Sequence, residues 1–285
     1  CKFTYDLGRA KAVDGIVAVA GHPRREAEIK RKYLPRGVNQ VKDLNPNVPT
    51  GILVTEADDS PNPPYMQLYD FKVGYVASAD IMNTQGCAPI KTFIETFNPA
   101  ADRGARNFAR PKLVASFISN CGIPTRDKWM KGLSDHLAMD NYGLCFHSVD
   151  APATRGERDY QAIKEAVLKD YKFAVAFENK VAPNYVTEKV YNALAAGAIP
   201  VYLGAPDVNL YVPSHSIINV ADFETAADLA AYITKVAGDA DLYASYFQWD
   251  RAELEQLAQR HSCMHNWYCA TCERMAWRRR QRGGR

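Results

Sequence analysis

The 285-residue sequence lacks several patterns that would fix its class at once. No apolar run reaches the roughly 18 residues that a membrane-spanning helix needs, and no signal peptide is visible. No P-loop motif, internal repeat or CxxC…CxxC set occurs, so a P-loop nucleotidase, a repeat protein and a zinc ribbon are not indicated. The chain also has no Asn-x-Ser/Thr acceptor site, which argues against prolonged residence in a secretory lumen.

An excess of charge is also missing. Lys and Arg total 35 and Asp and Glu total 32, so the formal net charge is only +3. Much of the excess lies at the end of the chain, in Arg278, Arg279, Arg280, Arg282 and Arg285. A basic segment of this kind is more typical of a solvated terminus than of a nucleic-acid-binding surface, so we expect no nucleic-acid partner.

Cysteines are few: Cys1, Cys87, Cys121, Cys145, Cys263, Cys269 and Cys272. The last three lie close to His261 and His265, a composition that suits zinc, but a second ligand pair at the usual spacing is missing. We therefore expect no built-in metal. The cysteines are expected to form disulfides if the protein is secretory and to be free thiols if it is cytosolic.

The length suffices for two domains of ordinary size, and the apolar (47%) and charged (24%) fractions are those of a soluble globular protein. Short apolar runs alternate with helical patterns, which predicts an α/β protein. Residues 83–111 are irregular and contain several Gly and Pro, so they are the expected interdomain linker. Because the first residue is Cys1 rather than Met, we expect a fragment or a processed form, with any membrane anchor upstream.

The most informative stretch runs from Tyr171 to Gly204. Residues 173–177 form a short apolar run that predicts a buried strand. Residues 190–195 carry apolar side chains at helical spacing, and Gly197 is well placed to end that helix. A second apolar run at 198–203 completes a strand–helix–strand unit.

Polar side chains gather where the first of these strands ends and the helix begins. Asn184 or Thr187 can cap the helix, and Lys189 adds a positive charge beside the free N–H groups of its first turn. In open parallel sheets, ligands bind beyond the carboxyl ends of the strands and often on a helix N-terminus. The local pattern therefore predicts an anion site, with phosphate as the expected ligand.

The same stretch resembles a known enzyme family. The segments F-x-x-A-F-E-N, Y-V-T-E-K and A-G-A-I-P-V-Y-L-G follow one another over residues 173–204. Together they resemble the signature of the α1,3/4-fucosyltransferases, which transfer fucose from GDP-fucose. An ordinary strand–helix–strand crossover explains the apolar positions and Gly197, but it does not explain Glu178-Asn179 together with residues 185–189. The resemblance covers residues 112–272 well and 1–82 weakly.

The resemblance implies an α/β fold with two Rossmann-like domains facing a cleft, which is the GT-B type of glycosyltransferase. The expected domains are an acceptor-side domain at 1–105, N-terminally truncated, and a GDP-fucose-binding domain at 106–272. Residues 273–285 are the expected basic tail. Residues 142–147 are expected to form a short strand of the second domain.

The resemblance assigns nucleotide-sugar binding to Arg126, Glu178, Asn179, Tyr185, Glu188 and Lys189. Arg126 and Lys189 would face the diphosphate, and an arginine can clamp it with two parallel hydrogen bonds. Glu188 would hold ribose hydroxyls, and Asn179 and Tyr185 would position the nucleotide sugar.

Two alternatives stay open for these residues. Arg126 is otherwise a surface arginine paired with Asp127 or Asp135. Glu178 is expected either to orient fucose or only to brace the loop that follows it.

The catalytic base is expected after the strand predicted at 51–55. An acceptor hydroxyl is a weak nucleophile, so a carboxylate within hydrogen-bond reach must remove its proton. Counting from the strand end favours Glu56, whereas counting back from Ser60-Pro61, which resembles a family motif, points to Asp59. Glu56 is the preferred candidate, and a solvated acidic turn is the structural alternative.

The expected reaction is transfer of L-fucose from GDP-fucose to a GlcNAc hydroxyl of a glycan, in α1,3 linkage and with inversion. The Ser119–Gly122 run and the cysteines near the end resemble enzymes acting on the inner GlcNAc of N-glycans, which is the favoured acceptor. The run at 242–249 resembles equally the enzymes that act on outer N-acetyllactosamine. A non-catalytic nucleotide- or glycan-binding protein on the same fold is the remaining alternative.

No tightly bound cofactor is expected, and a loosely bound divalent cation is compatible with the resemblance. The expected partners are GDP-fucose and a GlcNAc-containing glycan acceptor, with membrane contact only through a segment absent from this chain. The expected location is the Golgi lumen for a eukaryotic protein and the cytoplasm for a bacterial or viral one.

Overall fold

The computed structural model describes residues 16–20, 49–54, 69–74, 79, 81–82, 103–152, 160–260 and 267–281. The chain divides into two compact units. The first comprises Cys1–Gln85 together with Met264–Arg285, and the second comprises Gly86–Cys263. The boundary predicted at residue 105 falls inside a helix of the second unit, Arg103–Phe108.

The first unit contains a parallel sheet of short strands in chain order. They are β1 (Ile16–Ala20), β2 (Thr50–Val54), β3 (Phe71–Gly74) and β4 (Ile81–Met82). Sequential parallel pairing, with Ile52 opposite Ala18 and Lys72, is the arrangement expected of a Rossmann-like half.

A C-terminal helix, Trp267–Gln281, returns to this first unit. Its Met275 is buried in a cluster with Leu53, Phe71 and Val73 of the sheet. The sequence prediction treated residues from 273 onward as a basic tail, whereas 273–281 complete this helix. The many arginines made this segment resemble a solvated tail. The difference arises because Met275, an apolar residue among them, packs on the sheet.

The second unit contains a larger parallel sheet, ordered β6-β5-β7-β8-β9. Its strands are β5 (Lys112–Ser116), β6 (Met139–Asn141), β7 (Tyr171–Phe177), β8 (Ile199–Leu203) and β9 (Ile218–Asn219). Its described helices are α1 (Arg103–Phe108), α2 (Pro124–His136), α3 (Tyr160–Leu168), α4 (Glu188–Ala196), α5 (Ala226–Gly238), α6 (Ala240–Ser245) and α7 (Arg251–Arg260). None of the described helices is long and apolar enough to cross a membrane.

Strand β7 lies at the centre of this sheet and contributes to two apolar clusters. Phe173 belongs to the larger cluster, which includes Met130 of α2 and Ile233 of α5. Ala174 belongs to a smaller one with Leu168 and Ala193. Burial of β7 in both clusters explains why its sequence is a continuous apolar run.

The strand predicted at 142–147 is wrong, because β6 ends at Asn141. The segment that follows turns back toward the loop after β5, and a Cys121–Cys145 disulfide joins the two loops. The Cys145 N–H donates to the Ile118 carbonyl at 2.9 Å, and Phe146 has a positive φ of 56°. These constraints are incompatible with an extended strand.

Gly197 ends α4 as its sequence predicted. It adopts the left-handed conformation with φ of 72°, and its N–H donates to the carbonyls of Ala193 and Leu194. A Cβ at this position would also lie 2.8 Å from Nδ2 of Asn107. The Arg110 guanidinium donates to the nearby Ala196 carbonyl at 2.7 Å, so the helix end is tied to the segment that precedes β5.

We expect Gly197→Ala to lower the free energy of unfolding by about 1–2 kcal/mol, because an L side chain is strained at positive φ. Gly238, the last residue of α5, is the control, since its added Cβ meets no atom within 4 Å. Urea unfolding should leave Gly238→Ala equal to or more stable than the wild type. Equal losses in the two variants would contradict this account of the α4 end.

Candidate functional site

A buried carboxylate organises the carboxyl edge of the second sheet. Glu178 directly follows β7, is 2% exposed, and its N–H extends the strand pairing by donating to the Leu203 carbonyl at 2.7 Å. Its Oε1 accepts from the Thr187 N–H at 2.7 Å. Its Oε2 accepts from the Thr187 hydroxyl at 2.7 Å and from the Lys189 ammonium at 2.8 Å. Glu178 therefore braces the loop that leads into α4.

The start of α4 is built differently from a simple capped helix. Thr187 occupies the cap position, but its hydroxyl donates to Glu178 and accepts from Lys189 at 2.8 Å, and no helix N–H bonds to it. The prediction of a Thr187 or Asn184 side-chain cap is therefore wrong. The Thr187 hydroxyl donates its proton to the buried carboxylate and accepts from the Lys189 ammonium instead of from a helix N–H, and hydrogen bonds to charged groups are the stronger ones.

Burial and hydrogen bonding oppose each other at Glu178. Removal from water raises the pKa of this carboxyl above its ordinary value, while the Lys189 ammonium and the Thr187 donors act to lower it. Gly204 leaves room for this arrangement, because a Cβ there would lie 2.7 Å from Cγ of Glu178. The glycine that closes the strand–helix–strand sequence motif is therefore required by close packing at the site.

Arg126 reaches the same place from the third position of α2. It is 1% exposed, and it donates to Oδ1 of Asn179 at 2.7 Å and to the Asn120 carbonyl through a short contact. Its Nε is buried and has no hydrogen-bond partner in the described part of the chain. The alternative of a surface arginine paired with Asp127 or Asp135 is wrong, because both contacts point inward.

Arg126 interacts electrostatically with other residues of the site. Burial lowers the pKa of its guanidinium, and the negative charges of Asp127 and Glu178 oppose that effect. A guanidinium stays charged at any physiological pH, so the cost of burying it must be offset by fixed partners. Asn179, Asn120 and Glu178 provide those partners from two strand ends.

The loop before α4 is held by a second acidic residue that the sequence had not indicated. The Asn184 N–H donates to both carboxylate oxygens of Asp207, at 2.9 and 3.1 Å. Asn184 has a positive φ of 62°, and its Oδ1 accepts from the Tyr211 hydroxyl at 2.7 Å. These contacts fix the backbone from which the buried Tyr185 extends.

Glu188 and Lys189 form the first turn of α4. The Glu188 side chain is 33% exposed, and its Oε1 lies 4.0 Å from the Lys189 ammonium. Burial acts to raise the pKa of Glu188, but the charges of Lys189 and Lys164 together with hydrogen bonds to the carboxylate lower it, and the pKa lies below its ordinary value. Glu188 is thus a carboxylate at the sheet edge with part of its surface open.

Lys164 was missed by the sequence analysis. It is 9% exposed and lies on α3, four residues after Tyr160 and four before Leu168. That spacing places a lysine on the helix face that carries buried residues, which is the signal that could have identified it.

The structure therefore brings Arg126, Glu178, Asn179, Tyr185, Glu188 and Lys189 to the carboxyl ends of β5 and β7 and the start of α4. The cations of this group are Arg126 and Lys189, and its carboxylates are those of Glu178 and Glu188. Hydrogen bonds of Glu178 and Asn179 hold the two cations in position. The predicted bases, Glu56 and Asp59, lie outside the described residues. Within the described ranges no group of three His, Cys, Asp or Glu side chains is arranged to hold a metal ion.

Comparison with known sequences identifies the family. Residues 108–283, more than half of the chain, match the profile of glycosyltransferase family 10 (fucosyltransferase), C-terminal region. The chain belongs to this family of fucosyltransferases, as its sequence motifs had indicated.

The relatives carry names that state different fucosyltransferase activities. GDP-fucose protein O-fucosyltransferase 3 of Xenopus laevis is 38% identical over 150 residues, covering 50% of this chain and 32% of that protein. Alpha-(1,4)-fucosyltransferase of Arabidopsis thaliana is 33% identical over 154 residues, 50% of this chain and 38% of that protein. Alpha-(1,3)-fucosyltransferase B of Drosophila melanogaster is 33% identical over 168 residues, which cover 55% of this chain and 36% of that protein. The matched region thus spans only about a third of these curated relatives.

Solved structures support the fold. A crystal structure of an α1,3-fucosyltransferase matches with a TM-score of 0.56 and 16% identity, covering 88% of this chain and 90% of that one. The form of that structure with GDP-fucose matches with a TM-score of 0.54 and the same coverage. The predicted α/β fold of GT-B type, with parallel sheets in both halves, is confirmed.

We expect Glu178→Gln to lower the free energy of unfolding by about 2–4 kcal/mol, because it leaves the Lys189 ammonium beside an amide that cannot neutralise it. Adding Lys189→Met should recover part of that loss, with a coupling of about 1 kcal/mol or more in urea unfolding. The exposed pair of Lys131 and Asp135 gives the control, since Asp135→Asn should cost less than about 0.5 kcal/mol. Strictly additive losses would show that Glu178 and Lys189 do not act as a pair.

Proposed function

We propose that this protein transfers L-fucose from GDP-fucose, with the nucleotide sugar bound at the carboxyl edge of the second sheet. The observation that carries the proposal is the placement of two cations beside the buried Glu178. Lys189 is hydrogen-bonded to Glu178, and Arg126 is hydrogen-bonded to the next residue, Asn179, and attracted by the Glu178 charge. The two cations reach this edge from different helices, α2 and α4, and the start of α4 adds the partial positive charge of its N–H groups. Such a site suits a diphosphate.

The chemistry supports the same assignment. When the fucosyl bond breaks, negative charge grows on the departing GDP, and fixed cations stabilise it without reorganising. Arg126 has a buried Nε–H without a hydrogen-bond partner in the described chain, so one donor of this guanidinium is unused there. The Lys189 side chain is 20% exposed while its ammonium is paired to Glu178, so the charge is held in place without the side chain being fully buried. Glu188, Asn179 and Tyr185 are proposed to contact the nucleotide sugar beside them.

The proposed reaction is an inverting displacement. The acceptor oxygen attacks the anomeric carbon and loses its proton to a carboxylate, while the glycosidic electrons leave with GDP through an oxocarbenium-like transition state. Glu56 is the proposed base and Asp59 the alternative. Both follow β2 in the chain, and carboxyl ends of parallel strands are where catalytic groups gather in such folds. A loosely held divalent cation would help neutralise the diphosphate.

For the acceptor we favour the inner GlcNAc of an N-glycan, fucosylated in α1,3 linkage, with outer N-acetyllactosamine as the alternative. A second candidate is supported by the 38% identity to a protein O-fucosyltransferase, which suggests a hydroxyl of a protein as the acceptor. All three acceptors present a hydroxyl to the same displacement, so the nucleotide-sugar site does not distinguish them.

The proposed compartment is the Golgi lumen. The Cys121–Cys145 disulfide and a further disulfide at Cys272 support an oxidising environment. A cytoplasmic location remains the alternative proposal for a protein of bacterial or viral origin.

GDP is expected to raise the melting temperature by mass action on the folded state, whereas UDP and CMP should raise it less. Lys189→Met should weaken GDP binding by about tenfold or more, because it removes a charge from the diphosphate site. Lys131→Met, which removes an exposed lysine of α2, is the matched control and should bind GDP normally. Equal stabilisation by UDP would contradict a guanine-specific site, and unchanged GDP affinity in Lys189→Met would remove that residue from it.

Release of GDP from GDP-fucose should depend on the acceptor, so turnover is measured against an N-glycan core, N-acetyllactosamine and a folded protein domain with Ser and Thr hydroxyls. Glu56→Gln should lower turnover by about 10²- to 10⁴-fold and leave GDP binding unchanged, because only basicity is lost. Asp59→Asn is the matched variant. If turnover falls in Asp59→Asn but not in Glu56→Gln, Asp59 is the base. If turnover is normal in both variants, the base is another residue.

A further inference from the structure

A disulfide lies one residue away from a backbone carbonyl that holds Arg126. The Arg126 guanidinium donates to the Asn179 side chain at 2.7 Å and, through a short contact, to the Asn120 carbonyl. Asn120 is directly followed by Cys121, which forms the disulfide with Cys145. One short segment therefore carries both a fixed partner of a buried cation and a covalent cross-link.

The loop that contains Asn120 has few anchors of its own. It connects β5 to α2, and Cys121 and Gly122 are exposed to solvent. Gly122 turns the chain with a positive φ of 83°, and a Cβ added there would meet no atom within 4 Å. Its N–H donates to Oδ2 of Asp127 at 2.9 Å, which ties the end of the loop to α2. Because exposed loop segments with few buried contacts open at low free-energy cost, the position of Asn120 must depend on further contacts.

Those contacts lead to the segment that follows β6. The Ser119 hydroxyl accepts from the Leu144 N–H at 3.3 Å, and Cys121 is bonded to Cys145, so both chain neighbours of Asn120 are attached to consecutive residues. Cys145 is 3% exposed and belongs to the larger apolar cluster of the second unit. The disulfide thus joins an exposed loop residue to the core, and it is the stronger of the two links.

The orientation of Arg126 depends on the loop for the same reason. A buried guanidinium stays charged, so it requires partners that do not move. If the Asn120 carbonyl moved away, the Asn179 side chain would be the one hydrogen-bond partner left among those described above. A guanidinium held at one point can rotate, and parallel hydrogen bonds to a phosphate need a fixed orientation of its plane.

We propose that the Cys121–Cys145 disulfide is a positioning element of the nucleotide site, which holds the Asn120 carbonyl against the Arg126 guanidinium and keeps that guanidinium oriented for the diphosphate. This inference rests on the proposed function, in which Arg126 faces the diphosphate. The disulfide acts through Arg126, so its contribution to GDP binding depends on the presence of the guanidinium.

The test measures GDP affinity by calorimetry in a double-mutant cycle on the full chain. Removing the disulfide by Cys121→Ala with Cys145→Ala should lower GDP affinity about tenfold, because the Arg126 guanidinium loses its orientation. Arg126→Met should lower it at least as much, and adding the two cysteine substitutions to Arg126→Met should cause no further loss. The same cycle with Arg126→Lys, which keeps the charge without the fork of donors, gives the answer if Arg126→Met binds GDP too weakly to measure.

Thermal unfolding separates positioning from stability. Loss of the disulfide should lower the melting temperature of the ligand-free protein by similar amounts in the wild-type and Arg126→Met backgrounds, whereas GDP affinity should fall only in the wild-type background. Gly197→Ala, which strains the opposite end of α4, is the control for lost stability and should bind GDP as the wild type does.

The outcomes distinguish this inference from the proposed function. Unchanged GDP affinity after removal of the disulfide, or a further loss in the Arg126→Met background, would overturn the inference and leave the proposed function intact. A wild type that does not bind GDP would overturn both. Cys121→Ser with Cys145→Val is the second pair, in which valine fills the buried position of Cys145. If neither pair folds, the disulfide is required by the fold alone and the inference is wrong.

Discussion

The site depends on one buried carboxylate. Glu178 accepts hydrogen bonds from a backbone N–H, a hydroxyl and an ammonium, and it does so at the point where the central strand β7 ends. A single change of this side chain would release Thr187, Lys189 and the start of α4 together. The lowest-energy way to bury such a charge is to satisfy every lone pair with fixed donors, which also fixes the donors themselves. Lys189 is thereby set in place before any ligand arrives, and in the proposed reaction a fixed cation would stabilise the growing negative charge without reorganising.

Most of the second unit could be predicted from the sequence, because the local residue patterns there favour the same strands and helices that the fold contains. The continuous apolar run of β7, the helical spacing in α4 and the left-handed Gly197 each have a local physical cause, and each was confirmed. The resemblance named six site residues, and the structure brings all six to one edge of the sheet, although their roles remain proposals.

Predictions failed where long-range contacts decide the outcome. The segment after Asn141 has strand-forming residues, but a disulfide and a backbone contact to Ile118 turn it. The Thr187 hydroxyl was expected to cap α4, but a carboxylate nine residues earlier captures it. Asp207 and Lys164 are distant in sequence from the motif they support, and no local pattern could connect them to it. The position of Lys164 on a buried helix face was visible in the spacing, yet its charge made it resemble a surface residue.

The return of the C-terminal helix to the first sheet has a consequence for how the chain acquires its structure. Met275 belongs to the cluster formed with Leu53, Phe71 and Val73 of the first sheet, so this cluster cannot be complete until Met275 has been synthesised. The second unit, by contrast, is contiguous in sequence, and its described strands lie between Lys112 and Asn219. During synthesis, the unit that begins later in the chain is therefore the one that can fold first, while the strands made earliest wait for their partner. A ribosome-bound chain whose synthesis has reached residue 263 would contain the whole second unit but not the helix that brings Met275 to the first sheet.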